Sequence, residues 1–173
     1  MEKYAEILKE VKNSEITSTA ISIIVVLAVI SVIWVSGFVY FKRQKKKRPK
    51  KYGTAKQIRL RRQSLWAGIA LTAIAVGFGA FLLFDTASLV SDINKDVSNG
   101  SYLTYEGGCT VRRDSRFLHF VRYDRWYQVE LDNGHFALLY MDSFAEWAST
   151  DVGPFEGKVV YGKNSLIVVD VDQ

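Results

Sequence analysis

A single cysteine, Cys109, stands in a chain of 173 residues, which excludes an intramolecular disulfide and leaves packing to hold any folded part together. The histidines are only two, His119 and His135. Together with Cys109 they do not form the paired spacing of a zinc site. Nor does a nucleophile stand beside a base as hydrolytic or transpeptidase chemistry needs. No stretch spells out a catalytic, metal or nucleotide-binding motif, so no cofactor and no catalytic residue is assigned. Charge is missing from two places. Ile16–Phe41 and Ser64–Phe84 contain no Asp, Glu, Lys, Arg or His, which excludes a proton relay or ion path inside either. Lys42–Arg62 contains no acid. The segment before the first apolar run has no positive bias, and no small-residue cleavage site follows that run, so the reading is a retained anchor and not a signal peptide.

Each apolar run exceeds the roughly 20 residues that cross a ~30 Å hydrocarbon core at 1.5 Å per residue. Both are expected to be transmembrane helices, residues 16–41 and 64–84. The intervening loop, residues 42–63, carries twelve Lys and Arg. On its first half these include Lys42, Arg43, Lys45, Lys46, Lys47, Arg48, Lys50 and Lys51, and on its second half Arg59, Arg61 and Arg62. Beside a bilayer each such base gains about 1 kcal/mol from anionic headgroups, so the predicted partner of the loop is anionic lipid. Positive charge in short loops stays cytoplasmic, which places the chain in the cell membrane as a multi-pass protein with both termini outside. The net charge of +5 conceals this segregation, because Asp92–Gln173 holds thirteen acids against eight bases. A nucleic-acid partner is therefore not expected.

Small residues on one face of the second run, Ala70, Ala73, Gly77 and Ala80, predict a helix-packing stripe, since small side chains let backbones approach. Its expected partner is Ala28 and Ser31 of the first run, with another subunit as the alternative; Ala75 and Gly79 form a further small pair. Tyr40 and Trp66 mark the cytoplasmic ends. Ahead of the first run, Tyr4, Ile7, Leu8 and Val11 recur at helical spacing, so residues 1–15 read as an external amphipathic helix that lies at the interface or docks a partner.

Residues 85–100 read as a polar, turn-rich linker and 101–173 as one external β-domain. Asn133-Gly134 predicts a two-residue hairpin turn, which would pair Leu131 with Phe136, Val129 with Leu138 and Tyr127 with Tyr140. Gly107-Gly108 reads as a bend or bulge. Ser143 to Glu146 fits a capping box, so 144–148 should be a short helix. The run Leu166–Val169 reads as a strand buried on both faces. The expected fold class is α+β: a transmembrane helical hairpin followed by a small β-barrel-like domain, OB-like or SH3-like, with one short helix, and Asp92–Gln173 is expected to fold alone.

Arginines interleaved with aromatics between Arg112 and Trp126 supply the candidate binding residues: Arg112, Arg113, Arg116, Arg122, Arg125 and Trp126 can fork to, or stack on, anionic or sugar-like ligands. The competing reading is a wet sheet whose arginines pair with Asp114, Asp124 and Glu130. The functional expectation is a two-pass bacterial membrane protein that presents its β-domain for binding, without catalysis, as an accessory component of a cell-envelope assembly with a protein partner. One alternative is an immunity factor against an external peptide; another is an envelope thiol enzyme using Cys109.

Overall fold

The computed structural model of the chain describes residues 2–47, 54–113, 126–140 and 154–172. Two helices, α1 (Glu2–Lys47) and α2 (Ala55–Asn99), precede five strands: β1 (Tyr102–Arg113), β2 (Trp126–Leu131), β3 (Phe136–Tyr140), β4 (Pro154–Gly162) and β5 (Val168–Asp172). The chain divides into two compact units, one of Thr19–Phe84 and one that joins Met1–Ser18 to Asp85–Gln173.

The unit of residues 19–84 is a pair of helices, each long and apolar enough to cross a membrane. Their outward side chains, among them Ile24, Phe38, Ile74 and Val76, are largely exposed. The two helices meet where the indole Nε1 of Trp34 donates to Thr72 Oγ1 at 3.0 Å. Gly68 faces that ring: a Cβ there would just touch it, at 3.4 Å, and leave no room for a longer side chain. The contact face differs from the expected one. Ala70, Ala73, Gly77 and Ala80 are exposed, as are Ala28 and Ser31, whereas Gly68, Thr72, Ala75 and Gly79 are half-buried and Leu82 is buried. Both stripes have helical period, and nearly half a turn separates them. The second contains the polar Thr72, which masks its small-residue character in the sequence; Thr72 also donates to the Gly68 carbonyl, which hides its hydroxyl within the helix.

In the other unit the sheet order is β3-β2-β1-β4-β5, all neighbours antiparallel. Strand β1 is shared: Tyr102–Thr110 pairs with β4 and Cys109–Arg113 with β2. Pairing runs through Gly107-Gly108 without a register shift, so the expected bulge is absent there; the irregularity falls between Val160 and Tyr161. The two edge strands approach each other, with a parallel bridge between Leu138 and Ile167 and a bond from Leu138 N–H to the Leu166 carbonyl of 2.7 Å. Leu166 adopts φ +58° at this point, a left-handed conformation that costs a side-chain-bearing residue about 1–2 kcal/mol.

Both faces of the sheet are apolar. On one, Cys109, Val111, Val129, Leu131, Ala137, Leu139, Val159, Tyr161 and Val168 bury one another. These come from all five strands and from no helix, so the sheet must curl around them. On the other, Trp126, Tyr140, Val160, Ile167 and Val169 pack against Leu8 and Val11 of α1 and Ile93 of α2. Ile167, Val168 and Val169 are therefore buried on both sides, as their unbroken apolar run predicts.

That second layer corrects three readings. The amphipathic face of residues 1–15 is present, but Tyr4, Ile7, Leu8 and Val11 cover the chain's own sheet, and the helix continues without a break into the apolar run. The segment 85–99 is not a turn-rich linker. It is the end of α2, with Leu89, Ile93 and Val97 on the sheet side, Thr86 and Asp96 buried and most of its other polar residues outward, a pattern the polar average obscures. The hairpin is also one residue out of the expected register. Trp126 pairs with Tyr140, Val129 with Ala137 and Glu130 with Phe136. Leu131 N–H bonds the His135 carbonyl, which closes a three-residue loop in which Gly134 alone has positive φ, +82°. Asn133 instead uses its carboxamide oxygen to accept from His135 N–H at 2.9 Å, an Asx turn that replaces the paired positive-φ geometry. The expected helix at 144–148 lies outside the described residues.

Candidate functional site

The expected arginine-aromatic site divides. Arg112 extends from β1 and pairs with Glu130 of β2 at 3.2 Å, both well exposed, so this part matches the wet-sheet alternative and contributes little to stability. Arg113 is the last residue of β1, opposite Tyr127. Arg116, Arg122 and Arg125 lie outside the described residues. Trp126 is not a ligand platform. It is only 4% exposed, meets Tyr140 edge to face at 5.1 Å, and its indole nitrogen donates to Glu15 Oε1 at 2.9 Å.

Sequence periodicity leaves two polar positions unread here, Ser14 and Glu15, because they fall on α1 beside the apolar stripe. Ser14 exchanges a short hydrogen bond with the Tyr140 hydroxyl, and Glu15 sits 2% exposed under Trp126. An aromatic pair with two polar tips, buried against a helix, positions that helix on the sheet and is not open to a ligand. At the start of α1, Tyr4 donates to Asp170 at 3.1 Å beside the Lys3–Asp170 pair at 3.2 Å. That bond to a carboxylate, followed by burial, pushes the Tyr4 phenol up from its ordinary value.

The most constrained polar group of the unit is Asp96, fully buried near the end of α2. Its Oδ2 accepts from the Ser165 N–H at 2.8 Å and the Ser165 hydroxyl at 2.7 Å, and its Oδ1 from the Asn164 N–H at 2.9 Å and carboxamide at 2.6 Å. Consecutive backbone N–H groups in a tight turn form a concavity that suits an anion. The carboxylate of Asp96 fills it. Gly162 has to be glycine, because a Cβ there would collide with that carboxylate and with Ser165. The loop is tied further by Lys163 N–H to the Ser101 carbonyl at 3.0 Å and by Ser101 N–H to the Asp96 carbonyl at 3.1 Å. Asp96 is thus a latch between α2 and the β4–β5 hairpin, and its oxygens are saturated by the protein.

Cys109 is 1% exposed within the sheet's own core, and its thiol is pushed up from its ordinary value by burial and by Asp132 nearby. A nucleophilic cysteine needs the opposite, a depressed thiolate pKa and access. Among the described residues of the basic segment, Lys42, Arg43, Lys45, Lys46, Lys47, Arg59, Arg61 and Arg62 are exposed on the facing ends of α1 and α2, and Arg48, Lys50 and Lys51 lie outside the description. Arg61 sits over the Phe41 ring, 5.9 Å from its centroid.

Comparison with known proteins finds no match: no family model, no curated protein and no solved structure matches the chain.

Proposed function

We propose that the chain is a two-pass membrane protein in which the helix pair lies in the bilayer, the basic connector is cytoplasmic, and the sheet with both termini stands outside as a binding module for a cell-envelope assembly. The observation that carries this is the distribution of charge against apolar surface. Two helices expose long apolar faces, and twelve bases without one acid join them. In water those faces would far exceed the exposed apolar patches of soluble chains; in a bilayer they are satisfied, and the bases meet anionic headgroups. The unit that unites Met1–Ser18 with Asp85–Gln173 supports an even number of crossings, because both termini then belong on one side.

In the same reading the sheet is an OB-like barrel, supported by the shared central strand and by the parallel bridge that brings β3 to β5. Binding is preferred to catalysis because the thiol is sequestered and the buried carboxylates serve structural bonds. The occupant is a protein partner in the membrane or outside it.

Cysteine labelling tests the topology. In a Cys109→Ser background, Lys163→Cys should react with a membrane-impermeant maleimide in intact cells and Lys56→Cys only after permeabilisation; both positions are exposed. The reverse pattern refutes the reading. For the binding role, crosslinking in native membranes should yield a stoichiometric partner that couples to the external unit. A chain that is monomeric and unpartnered in its native membrane refutes an assembly role.

A further inference from the structure

Next to the Trp34–Thr72 contact, towards the basic connector, the helix pair leaves a cleft of about 330 Å³. We propose that this cleft binds one anionic glycerophospholipid, with its phosphate at Arg61 and one acyl chain along the apolar wall. The inference rests on the membrane-spanning reading above. Three observations converge on it. Gly37 lines the cleft, and nothing stands within 4 Å of where its Cβ would be, so the space that a side chain there would take is left open. The walls are Ile33, Phe38 and Leu65, apolar and continuous with the lipid-facing surface. At the rim stands Arg61, the one charged residue among the described residues that line the cleft, with its guanidinium carried over Phe41.

The chemistry selects the occupant. A guanidinium offers a planar fork of donors that fits two phosphate oxygens, while the stacked Phe41 ring holds it at the mouth of the cleft. A free phosphate would use the rim and leave the apolar walls wet. An acyl chain covers them, and a volume at the low end of the roughly 300–1,000 Å³ of ligand sites suits a single chain segment. Net negative charge on the headgroup is favoured over zwitterionic lipid because the surrounding connector is wholly basic.

The test uses the full chain in mild detergent, titrated with dioleoyl-phosphatidylglycerol or dioleoyl-phosphatidylcholine and read by native mass spectrometry. One phosphatidylglycerol per chain should be retained, on the order of tenfold more tightly than phosphatidylcholine, as one charge-assisted phosphate contact implies. Gly37→Leu, which fills the open space, should abolish the single adduct, and Phe38→Ala, which shortens an exposed wall, should weaken it with less burden on folding. Arg61→Gln should bring phosphatidylglycerol down to the level of phosphatidylcholine, while Lys46→Gln, exposed and outside the cleft, should leave the preference in place. Retention that survives Gly37→Leu and Phe38→Ala, an equal effect of Arg61→Gln and Lys46→Gln, or full displacement by inorganic phosphate overturns the proposal. Carbonate extraction of the wild-type chain from membranes separates the two levels of the argument. If the chain resists extraction but shows no selective adduct, the cleft assignment alone fails; if carbonate releases it, the spanning reading fails as well.

Discussion

Replacing Asp96 by Ala should be among the most damaging single substitutions in the chain, although the residue touches no proposed ligand. Its two oxygens accept from four donors on Asn164 and Ser165, at 2.6 to 2.9 Å. The Asn164 groups lie at the surface and water can take over their bonds; Ser165 is buried, so its N–H would be stranded. A stranded buried donor costs about 1–3 kcal/mol, and each lost bond to a charged acceptor about 1.5–3 kcal/mol before water compensates. Together these put Asp96→Ala at about 4 kcal/mol, against a total stability of about 5–15 kcal/mol for a typical protein. For a unit of this size that corresponds to a fall in unfolding midpoint on the order of 15 °C or more. Asp96→Asn keeps the shape but replaces an acceptor with a donor that faces donors, and should lose about half as much.

The assay is near-ultraviolet circular dichroism of the full chain in detergent, with hydrogen exchange of the peptide that spans residues 160–170. Exchange should accelerate first at Gly162 and Leu166, whose amides close the loop onto Ile167 and Gly162. Asp92→Ala is the control, because Asp92 on the same helix forms only an exposed pair with Lys95, worth less than about 0.5–1 kcal/mol. If Asp96→Ala and Asp92→Ala shift the midpoint equally, the hairpin is not latched through this carboxylate and the account of Gly162 falls with it.

Cys109 should be alkylated by iodoacetamide at neutral pH more than about a hundredfold more slowly than a free thiol, with the rate restored by denaturant; fast labelling of the folded chain would show a sensitised, accessible thiolate instead. Because its pKa is raised, the phenol of Tyr4 contributes stability that is complete below the ordinary tyrosine value and is lost as pH rises through the folded value; Tyr4→Phe should remove this alkaline dependence, and an unchanged pH profile would mean the Asp170 bond does not form. Gly68→Leu should drive the side chain into Trp34 and cost the helix pair about 1–3 kcal/mol, whereas Gly77→Leu should be neutral; equal effects in a detergent melting assay would refute the observed packing face. A fragment of residues 92–173 should fail to fold alone, since Leu8 and Val11, each worth about 1.5–3 kcal/mol of burial, would be absent from the outer face of the sheet; a cooperative transition at the full-length midpoint would refute the two-layer account.

How far the sequence carried the fold depends on which interactions have a period. The apolar runs, the helical spacing of Tyr4, Ile7, Leu8 and Val11, and the two-sided burial of Ile167–Val169 follow from periodicity and burial, and the structure reproduces each. In the hairpin the turn residue is legible in the sequence and the turn type is not. Gly134 does take positive φ, but the Asn133 carboxamide accepts from His135 and converts a two-residue turn into a three-residue one. One residue of slip exchanges the faces of β3. The sequence does not distinguish the two registers, because β3 is apolar at successive positions, Ala137, Leu138, Leu139 and Tyr140, so either one buries something.

The same redundancy explains why the sheet needs its helices. A strand that alternates apolar and polar residues can leave one face in water, and a domain built from such strands can stand alone. Here Trp126, Val160, Ile167 and Val169 occupy the face that alternation would give to solvent. They are covered by two segments that lie about half the chain apart, the start of α1 and the end of α2. Taken one at a time, those segments read as an interface helix and a polar linker; only their joint contact with the sheet gives them a core. The polar contacts then set their positions, Glu15 and Ser14 against Trp126 and Tyr140 at one helix, Asp96 against Ser165 at the other.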